Sequence, residues 1–263
     1  MDSEVRQLFL STGIHVPCLI QGDASARPLL LLHAWGESRR SFDRLAPLLE
    51  GFRILAPDLR GHGDADKPAN GYSLEDQARD VAAILDALAL ESAVVLGCSS
   101  GGYVAQQLAV MQPERVDALI LVGSPLTLQG RPAFADEVDA LADPLDEDWV
   151  RQSLLWFPLG QAVPGWYLDD RVADGLKMPA HVWKSVLAGL CLAAPPTETG
   201  TIHAPTLILW GEEDGLLPRS QQELLAARIP GSVLKTYAGT GHVVLWECPE
   251  RVAADTRAFL AKL

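Results

Sequence analysis

The chain is poor in cysteine: Cys18, Cys98, Cys191 and Cys248 are its only four, and no C-x-x-C pair occurs. Such scattered thiols suggest neither a disulfide framework nor a zinc site. H-E-x-x-H is also absent, so no metal is expected. Basic residues are scarce, with 21 Lys and Arg against 34 Asp and Glu for a formal net charge of −13. No basic tract is longer than a pair such as Arg39-Arg40, which speaks against nucleic acid as a partner. No apolar run reaches the length of about 18 residues that a membrane span needs. The opening MDSEVRQLFL lacks the basic, apolar and small-residue order of a secretory leader. These absences leave a cytoplasmic protein with no membrane partner as the expectation.

What the chain does have is apolar residues, 48% of 263, enough for a sizeable buried core. Runs at 29–33, 53–57, 93–96, 118–122 and 206–210 read as strands. Four of these, LLLLH, AVVL, ALILV and TLILW, are continuously apolar, as central strands covered on both faces must be. Helix-like stretches at 41–49, 73–90 and 101–111 fall between them, and this alternation predicts crossover units on a parallel sheet. The stretch at 73–90 opens with Ser73 and early acids, then places Val81, Ile84, Leu85 and Leu88 at helical spacing. A terminal amphipathic helix is expected from Pro249 onward.

Between Ser124 and Thr206 the strand pattern lapses, and tryptophans, prolines and acids accumulate. A helical insertion is expected there, with candidate helices at 133–141, 146–156, 168–176 and 180–190. The predicted organisation is a core over 1–124, a helical cap over 125–203, and the rest of the core over 204–263.

The strand AVVL runs into Gly97-Cys98-Ser99-Ser100-Gly101-Gly102 and then a helix. A serine on so sharp a strand-to-helix turn is exposed above the sheet, and flanking glycines keep side chains out of the corner. Because a serine hydroxyl is a weak nucleophile at neutral pH, it needs a base, and the base needs an orienting acid. His242 lies in a glycine-rich loop after the expected strand 233–237, and it is the only histidine beyond the candidate acids. Asp214 lies just past TLILW, with Glu212 and Glu213 as neighbouring rivals. At the end of the preceding strand the sequence reads Gly123-Ser124, with no carboxylate.

Together, His33-Ala34-Trp35-Gly36, Asp58-Leu59-Arg60-Gly61-His62-Gly63, the Ser99 turn, Trp210-Gly-Glu-Glu-Asp214 and Gly241-His242 resemble the α/β-hydrolase superfamily over nearly the whole length. The likeness is to members with a helical cap after the sixth strand. It implies an α/β fold with a mostly parallel eight-stranded sheet flanked by helices, and it singles out Asp214 as the acid. It also implies an oxyanion hole from the backbone N–H groups of Trp35 and Ser100, although Ala34 stands where relatives often carry glycine. His33 and His62 would support these loops, and Cys98 would be a packing residue.

The activity the resemblance implies is cofactor-free hydrolysis of an ester or lactone with an apolar moiety, water being the second substrate. Perhydrolases and carbon-carbon bond hydrolases share these motifs, and some capped members act as ligand sensors with slow turnover. The Ser99 turn also resembles that of macrolactone hydrolases. Among the aromatics, Trp149, Trp156, Trp166, Trp183 and Trp246 are candidate walls of a substrate pocket, with packing of the cap as the alternative role. A monomer or homodimer is expected.

Overall fold

The computed structural model describes residues 3–263. Eight strands form one sheet: β1 (Ser3–Phe9), β2 (His15–Gln21), β3 (Arg27–Leu32), β4 (Phe52–Pro57), β5 (Ala93–Cys98), β6 (Val116–Val122), β7 (Thr206–Gly211) and β8 (Val233–Tyr237). Their order across the sheet is β1-β2-β4-β3-β5-β6-β7-β8. Only the β1–β2 and β2–β4 pairings are antiparallel. The two N-terminal strands form a hairpin that the apolar-run reading does not locate. Alternation is weak in β1 because that strand is mostly exposed at the sheet edge.

The central strands are apolar on both faces because each face meets a different layer. Leu30, Leu32 and Val95 pack under α1 (Leu74–Ala87) and α2 (Ser100–Met111), whereas Leu29, Leu31, Val94 and Leu96 face the opposite side. There they meet Phe42, Leu45, Val252 and Leu260, the last two from the terminal helix at Pro249–Leu260. Ser73 caps α1 by accepting from Asp76 N. The stretch at 41–49 is not a helix; it forms two 3-10 turns, Arg39–Phe42 and Ala46–Leu48.

Between β6 and β7 the chain is helical: α3 (Ala135–Asp139), α4 (Glu147–Ser153), α5 (Gly165–Leu176), α6 (Ala180–Leu192) and α7 (Pro196–Thr199). α5 begins three residues earlier than its apolar periodicity suggests, because Pro164 serves as its N-cap rather than as a breaker. After β7 come α8 (Arg219–Arg228), α9 (Val244–Glu247) and α10 (Pro249–Leu260). No helix among the described residues is long and apolar enough to cross a membrane.

Candidate active site

β5 ends at Cys98, and the chain turns sharply at Ser99 to start α2. Ser99 has φ 46° and ψ −119°, one of two non-glycine residues with positive φ among the described residues. Strain of this kind costs roughly 1–3 kcal/mol and persists only where neighbours impose it. Here the Ser99 N–H donates to Val122 O at 2.9 Å, tying the turn to β6. A side chain at Gly101 would collide with the carbonyl oxygens of Leu32 and His33, so only glycine lets the helix approach β3 so closely.

The three residues expected to work together do meet. Ser99 Oγ lies 3.0 Å from His242 Nε2, and His242 Nδ1 lies 2.9 Å from Asp214 Oδ2. Asp214 Oδ1 accepts the N–H groups of Leu216 and Leu217 at 2.8 and 2.9 Å, which holds its carboxylate in one orientation. A carboxylate is acceptor-only, so the hydrogen belongs on Nδ1 and Nε2 is left to accept from the serine. Asp214 and His242 are both buried, and the Phe157 ring lies 5.1 Å from the imidazole.

The Trp35 loop differs from the expected pair of open backbone donors. Trp35 N–H donates to Ser100 Oγ at 2.7 Å, so the side chain of the residue after Ser99 occupies that donor. Ala34 is accommodated because it lacks positive φ; Gly36, at φ +82° and hard against the Trp183 ring, is the residue that must be glycine. His33 Nδ1–H donates to Ala34 O at 2.8 Å while Nε2 accepts from Leu59 N at 2.9 Å. Burial pushes both His33 and His62 down to about 3, so they are neutral struts. Asp58 accepts from Arg39 N and Asp64 N, each at 2.8 Å, closing the adjacent turn. Cys98 is buried, and desolvation drives its thiol well above the usual range, so it is a packing residue.

A cavity of about 90 Å³ opens on Ser99 and His242. Of the expected aromatic walls, Trp156, Trp183 and Trp246 line it, as does Trp35. Two expectations fail. Trp166 is 54% exposed and stacks edge-on against Tyr167, outside the cavity. Its neighbour Tyr167 took the inward position on α5, donating its hydroxyl to Ser41 O at 2.6 Å. Trp149 stands one layer back, with its ring edge-on to Trp156 at 5.7 Å and to Trp183 at 5.3 Å, bracing the wall instead of forming it.

Several contributors escaped the motif search. Phe134 stacks on Trp156 at 4.4 Å and lines the cavity. Glu37 and Arg171 also line it, and no pattern in the sequence around either residue marks them. Glu247 of α9 binds the helical segment to the histidine loop: its carboxylate accepts from Gly160 N at 2.9 Å, Gln161 N at 2.8 Å and Gly241 N at 3.0 Å.

Comparison with known proteins agrees with this architecture. Residues 27–249 match the family model described as the alpha/beta hydrolase fold, and the chain belongs to that family. It is 27% identical to Lipase 1 of Psychrobacter immobilis, over 98% of this chain and 84% of that one. It is 28% identical to a non-heme chloroperoxidase of Streptomyces lividans, over 91% and 93% of the two chains. A crystal structure of a hydrolase from Pseudomonas aeruginosa superposes with a TM-score of 0.85 at 28% identity, covering 98% of each chain. The chain is therefore a hydrolase-fold protein whose relatives include a lipase and a non-heme chloroperoxidase.

Proposed function

We propose that this protein is a serine hydrolase that cleaves a carboxylic ester or lactone carrying an apolar group. The carrying observation is the unbroken line from Ser99 Oγ through His242 to Asp214, at 3.0 and 2.9 Å, opening on an aromatic-walled cavity. The lipase relative points the same way.

In this reading Ser99 Oγ attacks the carbonyl carbon while its proton passes to His242 Nε2, and Asp214 stabilises the resulting imidazolium. The charge on the tetrahedral oxygen is met by the Ser100 N–H and by the Trp35 N–H, for which the oxyanion replaces Ser100 Oγ as acceptor. Collapse breaks the ester bond, and the leaving alkoxide takes the proton from His242. Water then repeats the sequence on the acyl-enzyme and frees Ser99. The helices between β6 and β7 serve as the cap, and they supply Phe134, Trp156 and Trp183 to the apolar wall.

Intact-protein mass after exposure to a fluorophosphonate tests this directly. One adduct on the wild-type chain and none on Ser99→Ala is the expected result. Labelling that persists in Ser99→Ala, or aryl-ester turnover at the wild-type level in that variant, would reject Ser99 as the nucleophile.

A further inference from the structure

Three serines line the cavity, and the hydroxyls of two have an evident use. Ser99 Oγ faces His242 Nε2, and Ser153 Oγ donates to Val150 O of its own helix at 2.7 Å. The third, Ser100 Oγ, accepts from the Trp35 N–H at 2.7 Å and gives its own hydrogen to no acceptor among the described residues. The usual outlet for a serine in a helix is a carbonyl one turn earlier. Ser100 is the first residue of α2, so no helical turn precedes it. Its hydrogen is therefore free for a partner in the cavity.

Position decides which partner. An oxyanion shared by the Trp35 and Ser100 N–H groups has to stand about 2.7–3.1 Å from both nitrogens. The Ser100 N–H belongs to the first turn of α2, where helix geometry supplies no acceptor. Ser100 Oγ already sits at such a distance from Trp35 N, and three covalent bonds tether it to Ser100 N. The oxyanion and Ser100 Oγ thus compete for one Trp35 hydrogen, and the tether keeps the displaced oxygen close to its competitor. A hydroxyl donates as well as accepts. A neutral acceptor on the Trp35 N–H can accordingly become a donor once negative charge arrives, and a bond to a charged acceptor is the stronger of the two.

We propose that the Ser100 hydroxyl is a third oxyanion donor. In the resting protein it holds the Trp35 N–H as an acceptor. When the tetrahedral oxygen takes that N–H, Ser100 turns about its Cα–Cβ bond and donates its O–H to the same oxygen. No bond to Ser100 forms, and its proton stays on Oγ throughout. The proposal rests on the ester-cleaving reading above and adds a catalytic side chain to it.

The test compares wild type, Ser100→Ala and the near-isosteric Ser100→Cys, whose thiol is a weak donor, on 4-nitrophenyl butanoate and on an alkyl trifluoromethyl ketone. Ser99 Oγ adds reversibly to the ketone carbon as its proton passes to His242 Nε2, giving a hemiketal oxyanion, so Ki for the ketone reads the donors without turnover. In Ser100→Ala kcat should fall about 10- to 100-fold while KM changes less than about threefold, and Ki should rise by a factor similar to the fall in kcat. Ser100→Cys should show the same pattern, and it carries the comparison if the alanine variant does not fold. An unchanged or raised kcat would mean that the hydroxyl only masks the Trp35 N–H. A lower kcat with an unchanged Ki would assign it to loop packing. Either result would overturn the third donor and leave ester cleavage standing. A wild type that turns over neither this ester nor other aryl esters would remove the ester-cleaving reading, and the third donor with it.

Discussion

The two sides of the cavity are held by different forces. On the sheet side, the Ser99 turn, the Asp214 loop and the His242 loop are fixed by backbone hydrogen bonds and by glycine contacts that admit no side chain. On the helical side, short helices are held by interlocked rings, Trp35 against Trp183 at 4.8 Å and Phe134 against Trp156 at 4.4 Å. Directional bonds set atoms to a few tenths of an ångström, as proton transfer requires. Ring packing fills space and tolerates exchange of shape, as substrate selection requires. On the proposed reading, reactivity belongs to the sheet rim and selectivity to the helical segment.

The largest expected effect breaks the sheet side. Asp214→Asn preserves shape but offers His242 an amide in place of a charge, so aryl-ester kcat should fall about 10⁴-fold with little change in KM. A fall of less than tenfold would mean that Asp214 is not the orienting acid. Glu247→Gln attacks the tie between the two sides. Three N–H donors would share one remaining carbonyl oxygen, for an expected loss of about 1.5–3 kcal/mol in urea unfolding. An unchanged midpoint would show that the tie carries no stability.

Trp156→Ala probes the helical side. It should raise KM for apolar esters roughly tenfold while kcat changes far less, since it removes binding area without moving the acid or base. An equal fall in kcat would contradict the division between the two sides.

The smallest effect concerns the buried struts. His62 is held neutral down to about 3 in the folded chain, whereas an unfolded histidine takes a proton near 6.5. The unfolded state therefore binds more protons between these values. Stability is complete above about pH 6.5 and falls as the solution is acidified, by up to about 1.4 kcal/mol per pH unit for one such histidine. His62→Gln removes that term, so its melting temperature should drop less than that of wild type between pH 7 and pH 5. Parallel pH profiles would show that His62 titrates alike in both states.

Much of the sheet side is legible in one dimension because its constraints are local. A left-handed serine between glycines, a carboxylate just past an apolar strand and a histidine in a glycine-rich loop are each written within a few adjacent residues. The helical side is less legible. Trp166 and Tyr167 are neighbours with similar composition, and which faces inward depends on the start of α5 and on where Ser41 O lies to receive the hydroxyl. β1 is obscure for a related reason, since an edge strand needs no apolar periodicity to keep its place.

By itself, then, the sequence determined the strand-helix alternation, the turn that presents Ser99, and the residue types that could act with it, because each depends on short-range sterics and periodicity. Tertiary structure alone decided that Trp149 braces while Trp156 lines, that Ser100 Oγ takes the Trp35 N–H, and that Tyr167 reaches Ser41 O from a distant helix. Those outcomes depend on distances between segments far apart in the chain, which packing sets and no local pattern encodes.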